Sequence, residues 1–148
     1  MIYKSYIIEQ NITMAFKHKI FLFYGENEGL KKEFKEKIKK SNQELKILRL
    51  NQEEIIKNEN VLTDEILNNS LFEEKKVIFI EQANDKLLDT IEQIIDKIEN
   101  EKVFIFSNIL DKKSKMRSYF EKSNNVGISA CYSDNEISIR KIIETKFK

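Results

Sequence analysis

The chain has 148 residues, 41% of them hydrophobic and 34% charged, and its 26 basic and 25 acidic side chains leave a formal charge of +1. That length suits one domain, or one domain and the start of another, and can bury a core without disulfides or metal. The near-cancelled charge argues against a strong electrostatic nucleic-acid binder, the single Cys131 excludes an internal disulfide and any CxxC motif, and the single His18 excludes multi-histidine metal sites and is the one base a Ser-His-Asp triad could use.

The opening MIYKSYIIEQN has no apolar signal-peptide segment and no small-residue cleavage site. No run in the chain approaches the roughly 20 apolar residues of a membrane helix, so a cytoplasmic protein is expected. His18 lies in a basic stretch and reads as exposed. Ile20 to Tyr24 reads as the first strand. Leu30, Phe34 and Ile38 then recur every four residues in a lysine-rich background, which predicts a helix. Leu45 to Leu50 alternates, with Leu45 and Ile47 inward, and reads as a weaker, peripheral strand. Leu62, Ile66 and Leu67 mark a short helix running towards Ser70.

Val77 to Ile80 and Val103 to Phe106 are continuous, β-branched and aromatic. Such strands must be covered on both faces, as in a parallel sheet flanked by helices. Between them Leu87, Leu88, Ile91, Ile94, Ile95 and Ile98 form a helical stripe. Met116, Tyr119 and Phe120 mark another helix. Val126 to Cys131 is a fifth, weak strand in which Cys131 reads as a small core residue. Ile139, Ile142, Ile143 and Phe147 mark a last helix, capped by Ser133 or Asp134. This alternation predicts a doubly wound α/β domain: a mainly parallel five-stranded sheet with helices on both faces and right-handed crossovers. The expected boundary falls near Ser133, with residues 1–133 as the domain and 134–148 as the start of a further one.

Open α/β sheets bind ligands at the carboxyl ends of their strands. The first strand is followed by Gly25-Glu26-Asn27-Glu28-Gly29-Leu30-Lys31-Lys32. A phosphate loop, GxxxxGK[ST], would place glycine at 30, lysine at 31 and a hydroxyl at 32. Lys31 survives, but Leu30 and Lys32 replace the glycine that lets backbone approach phosphate and the hydroxyl that holds magnesium. Glu26 and Glu28 bring negative charge where phosphates would sit. The segment reads as a degenerate phosphate loop with Gly25, Gly29 and Lys31 as its remnants; an ordinary strand-to-helix turn accounts for it equally. The third strand ends in Glu81-Gln82 where a working Walker B strand ends in Asp-Glu. Glutamine takes no proton and cannot serve as a general base. Ser107 or Asn108 after the fourth strand is either a remnant polar sensor or an ordinary polar strand end.

Leu71 and Phe72 adjoin at the end of the helix marked by Leu62 and Ile66, between Asn68-Asn69-Ser70 and Glu73-Glu74. Neighbouring helical side chains point about 100° apart and do not share one core stripe. They either plug the gap between helix and sheet or form an apolar knob for a partner's pocket.

FLFYGENEGLKKEF, SLFEEKKVIFIEQAN and KVFIFSNILDKKSKMRSYFEK, in this order and spacing, resemble the N-terminal domain of the delta subunit of bacterial DNA polymerase III, a clamp-loader component. The resemblance runs from the opening residues to the start of the last helix. It implies an AAA+/RecA-like core that binds no ATP, needs no cofactor and is not itself an enzyme. It implies DNA replication as the process: the subunit grips the sliding clamp (beta subunit), opens one interface of the ring, and reaches primed DNA through the assembled loader. By the same resemblance the grip falls on Leu71 and Phe72, with Ser70 beside them. A lid and a collar that joins other loader subunits follow in the family, so this chain is either an excised domain or a shortened relative.

The alternative is a P-loop-type ATPase or GTPase, which Lys31 favours and Leu30, Lys32, Glu26 and Gln82 oppose. A receiver-like signalling domain lacks its phosphorylatable Asp, since Glu81 stands there. A DNA-binding helix built on Lys31, Lys32, Lys35, Lys37, Lys39 and Lys40 is interleaved with Glu33 and Glu36 and reads better as a solvated face.

Overall fold

Every strand pairing in the computed structural model, which describes residues 1–41, 44, 46–58, 60–69 and 76–132, is parallel. The described elements are β1 (Ile2–Tyr3), α1 (Ser5–Gln10), a 3-10 turn (Ile12–Lys17), β2 (Ile20–Tyr24), α2 (Glu28–Ser41), β3 (Lys46–Asn51), α3 (Gln52–Lys57) and α4 (Asn60–Asn69). They continue with β4 (Lys76–Ala83), a 3-10 turn (Asp85–Leu87), α5 (Leu88–Ile94), a 3-10 turn (Ile95–Lys97), β5 (Lys102–Ser107), α6 (Lys115–Lys122) and β6 (Val126–Ala130). Across the sheet the order is β1-β6-β2-β5-β4-β3.

That order decides which face each helix covers. A right-handed crossover puts its helix on one face when the chain steps one way across the sheet and on the other when it steps back. The steps β1 to β2 and β2 to β3 run one way, and α1, the first 3-10 turn and α2 share one face. The steps β3 to β4, β4 to β5 and β5 to β6 run back, and α3, α4, α5 and α6 share the other.

Strand alternation then sorts the core into two layers. Phe21, Phe23, Phe79, Phe104 and Phe106 point towards α2, where Phe34 joins them. The Phe23 ring lies 4.7 Å from Phe21, 5.0 Å from Phe34 and 5.4 Å from Phe106, centroid to centroid. Ile20, Leu22, Ile78, Ile80, Val103 and Ile105 point the other way, onto an aliphatic layer that includes Leu62, Ile91, Ile94 and Met116. The α2 stripe is buried at Leu30, Phe34 and Ile38, as the four-residue spacing predicts.

Four expectations need correction. The sheet has six strands among the described residues rather than five, because β1 pairs with β6 through only two residues, too few to show a period. The stripe from Leu87 to Ile98 is a short helix between two 3-10 turns; Leu87, Ile91, Ile94 and Ile98 are buried, but Leu88 and Ile95 are only half-buried. The helices α1 and α3 appear where no pattern was read, each only six residues long. His18 is half-buried rather than exposed: its Nε2 and the Tyr3 hydroxyl are 2.8 Å apart in a hydrogen bond. Leu45, Ser70, Leu71, Phe72, the boundary near Ser133 and the last helix lie outside the described residues. Among the described residues no helix is long and apolar enough to cross a membrane.

Candidate functional site

The carboxyl edge holds a natural crevice between β2 and β5, since the chain leaves β2 towards one face and β5 towards the other. The turn after β2 borders it. Gly25 there has φ of +125°, in the region that favours glycine, and a Cβ on it would stand 2.1 Å from the Cys131 carbonyl oxygen. The Gly25 amide donates to the Asn108 carbonyl at 3.1 Å and the Asn27 amide donates to the Cys131 carbonyl at 3.0 Å. Backbone donors that would face a phosphate in a working loop are therefore spent on the chain itself.

The start of α2 is closed in the same way. The Asn27 side-chain oxygen accepts from the Leu30 amide at 3.0 Å, an N-cap bond, and its nitrogen donates to the Tyr132 carbonyl at 2.7 Å. Gly29, one turn position into the helix, has open space, with the Asn27 side-chain oxygen at 3.5 Å from a built Cβ.

Lys31 is 4% exposed. Its ammonium donates to the Glu28 carboxylate at 2.8 Å and to the Ser107 carbonyl at 3.0 Å. A buried ammonium needs such partners, and here the protein supplies them. Glu28 is thus the lysine's counter-ion. Ser107 is buried as well, and its hydroxyl donates to the Ala83 carbonyl, tying the ends of β4 and β5 together.

At the end of β4, Glu81 pairs with Lys35 of α2, and the Lys35 ammonium lies 4.6 Å from the centre of the Phe106 ring. Gln82 is exposed and turned away. It sits at a register shift between Ile80 and Ala83, has φ of +55°, and accepts a hydrogen bond from the Asn51 side chain at 2.9 Å. It is the one non-glycine residue with positive φ among the described residues. A bulge of this kind re-aims a side chain, here towards the outer strand β3 and away from the β2 turn.

On the other side of β5 an open cleft of about 480 Å³ is lined by Asp85, Lys86, Ile109, Asp111, Lys113 and Ser114 among others. Its best-placed carboxylate is also committed. Asp85 accepts from the Ser114 hydroxyl at 2.5 Å and from the amides of Lys115 and Met116 at 3.2 and 3.3 Å, capping α6 from a distant part of the chain. The Ser114 bond first, and then these amides, hold its carboxyl below the usual range. Cys131 is fully buried, and burial pushes its thiol up to about 12. No group of three or more metal-ligating side chains occurs among the described residues.

The structure thus brings Gly25, Lys31 and Ser107 to one end of the sheet and pairs Glu81 with Lys35, one turn further along α2, but sends Gln82 elsewhere. Sequence reasoning missed Asn27 and Lys35. An asparagine three residues before a buried leucine is a readable cap, and Lys35 lies one turn beyond Lys31; neither spacing reveals the distant partner.

Residues 21–130 match the family described as DNA polymerase III, delta subunit. The chain belongs to the DNA polymerase III delta-subunit family. The family's match begins within β2 and ends at the last residue of β6, so it covers the turn after β2, α2 and the carboxyl ends of β3, β4 and β5. Among solved structures, PCH-2 of C. elegans aligns with 88% of this delta-family chain at 15% identity and a TM-score of 0.42, and the chain spans 40% of that protein. No curated protein matches.

Proposed function

We propose that this delta-family chain grips the sliding clamp and holds one interface of the ring open for loading onto primed DNA, while hydrolysing no nucleotide itself. The observation that carries the reading is the family match over residues 21–130, which spans Ser70, Leu71 and Phe72. Those residues are the proposed grip: an apolar pair that follows α4 in the sequence, between polar neighbours, suited to a hydrophobic pocket of the beta subunit.

The carboxyl edge supports the non-enzymatic half of the reading. Lys31, Asn27 and the Gly25 amide are each bonded within the chain, and Gln82 offers no base near the turn. The core is then AAA+-like with a nucleotide site that its own side chains fill, and the ATP-driven step belongs to other loader subunits, reached through a collar where the full protein carries one. A cytoplasmic location goes with that role.

The test is the variant Leu71→Ala with Phe72→Ala, titrated against the clamp of the same source and melted alone. The expected result is a loss of clamp affinity of about a hundredfold or more, since each 1.4 kcal/mol is about tenfold, with a nearly unaltered melting temperature. A large loss of stability with unchanged clamp affinity overturns the assignment and makes the pair a plug between helix and sheet.

A further inference from the structure

The open cleft beside β5 is bordered by charges that the fold leaves unpaired. Lys86 and Lys113 line it, Lys112 adjoins Lys113 in the loop from β5 to α6, and Lys115 opens α6 with its amide on Asp85. All four lysines are exposed, and no hydrogen bond or ion pair among the described residues engages any of their ammoniums.

The acids within reach do not answer them. The Asp85 carboxylate is taken up by Ser114 and the first amides of α6, and Asp111 accepts from the Lys113 amide at 2.8 Å, closing the loop on itself. A solvated lysine-rich face is built differently in this same chain: on α2, Lys35 pairs with Glu81, Lys37 with Glu33 and Lys39 with Glu36. Beside β5 the carboxylates hold backbone, and the ammoniums are left without partners.

The cleft also carries an apolar group that the core does not take. Ile109 lines it and is 67% exposed, while its neighbour Leu110 is buried. A lone exposed isoleucine is ordinary on a protein surface. Here it stands with four free cations around a cavity whose size falls within the range of about 300–1,000 Å³ usual for ligand sites.

That combination selects the occupant. A single nucleic-acid strand binds through cations and through aromatic faces that stack its bases, and no aromatic side chain lines this cleft. A free phosphate needs backbone donors, and the amides of Lys113, Lys115, Met116 and Arg117 are already bonded. We propose that the cleft docks an extended acidic peptide segment of another protein, with one aliphatic side chain seated against Ile109 and its flanking carboxylates on Lys86, Lys112 and Lys113. The aliphatic contact holds the segment, while the lysines select its charge and speed its approach, an effect that salt screens. The site lies outside the clamp grip and does not depend on it.

The test is fluorescence anisotropy of the whole chain with a labelled peptide of acidic residues flanking one leucine, at about 50 mM and about 500 mM salt. The expected result is saturable binding at low salt that Lys86→Glu with Lys113→Glu weakens about tenfold or more, a difference that closes at high salt. Ile109→Ser weakens binding about fivefold at both salts, and replacing the peptide's leucine by serine does the same. Lys86→Arg with Lys113→Arg keeps the wild-type affinity, and Lys86→Gln with Lys113→Gln gives a smaller loss of the same sign should the reversal fail to fold. Absence of saturable binding, or wild-type affinity in the reversed or neutral variant, overturns the proposal. Equal affinity for the leucine-free peptide overturns it in favour of charge attraction alone. Tighter binding of a labelled single-stranded oligonucleotide, lost in the same lysine variants, overturns it in favour of nucleic acid. Clamp affinity is read separately, and none of these outcomes bears on the Leu71–Phe72 grip.

Discussion

The Lys31 ammonium and the Ser107 carbonyl oxygen are 3.0 Å apart, a bond that ties the first turn of α2 to the end of β5 across the sheet's carboxyl edge. The same ammonium holds Glu28, so its charge and two of its three donors are spent before any ligand arrives.

Two outcomes follow for Lys31→Met. The variant leaves the Ser107 carbonyl short of a partner and lowers stability by about 1–3 kcal/mol in urea denaturation. Millimolar Mg-ATP raises the melting temperature of neither the variant nor the wild type, whereas a ligand with an intact site would stabilise by mass action. A clear rise with Mg-ATP, absent with salt of equal ionic strength, sinks the idea of a filled site.

The two glycines of the degenerate loop separate in their response to alanine. At Gly25 the new Cβ meets the Cys131 carbonyl at 2.1 Å with φ at +125°, and the obstacle is backbone. Gly25→Ala is expected to cost more than about 3 kcal/mol. At Gly29 the space is open and the position helical, so Gly29→Ala is neutral or stabilising by up to about 1 kcal/mol. Denaturant midpoints of the pair measure both; equal effects would show that the turn is not built as described.

His18 sets a pH dependence of defined sign. Burial, ahead of the neighbouring positive charges, lowers its pKa from the ordinary 6.5. The unfolded chain then takes up the proton more readily than the folded one. The stability linked to this group is whole above about pH 6.5 and is lost as pH falls through the folded value. Between about pH 7.5 and about pH 5 the wild type should lose more stability than His18→Gln, as read from urea midpoints. A steeper loss in the variant contradicts the assignment.

The sequence made the centre of the fold readable and its margins less so. The strands β2, β4 and β5 are apolar on both faces, which only a covered parallel sheet explains, and α2 shows its spacing through a charged background. The strand β1 and the helices α1 and α3 are too short for a period to rise above their surroundings. Ile94 and Ile95 looked alike in the stripe, but the helix gives way to a 3-10 turn at Ile95, and only Ile94 is fully buried. At the site, the missing glycine, hydroxyl and acid were visible as residue types. The fate of Lys31 was not, because its acceptor is a backbone carbonyl on a distant strand, and a backbone atom leaves no mark in side-chain chemistry. The same holds for the left-handed backbone of Gln82.

The strand order also bears on how the chain acquires its shape during synthesis. Ile20 in β2 pairs with Val103 on one side and Val126 on the other, so the innermost strand is made early and is completed last. Contacts so remote in sequence slow folding, since a long loop must close before they can form. Until β5 and β6 have left the ribosome, IFLFY carries two bare, apolar edges, the pattern that recruits other chains. A nascent chain halted before Val126 is therefore aggregation-prone however well its helices have formed, since β6, the last in sequence of the described strands, is the one that seals the middle of the sheet.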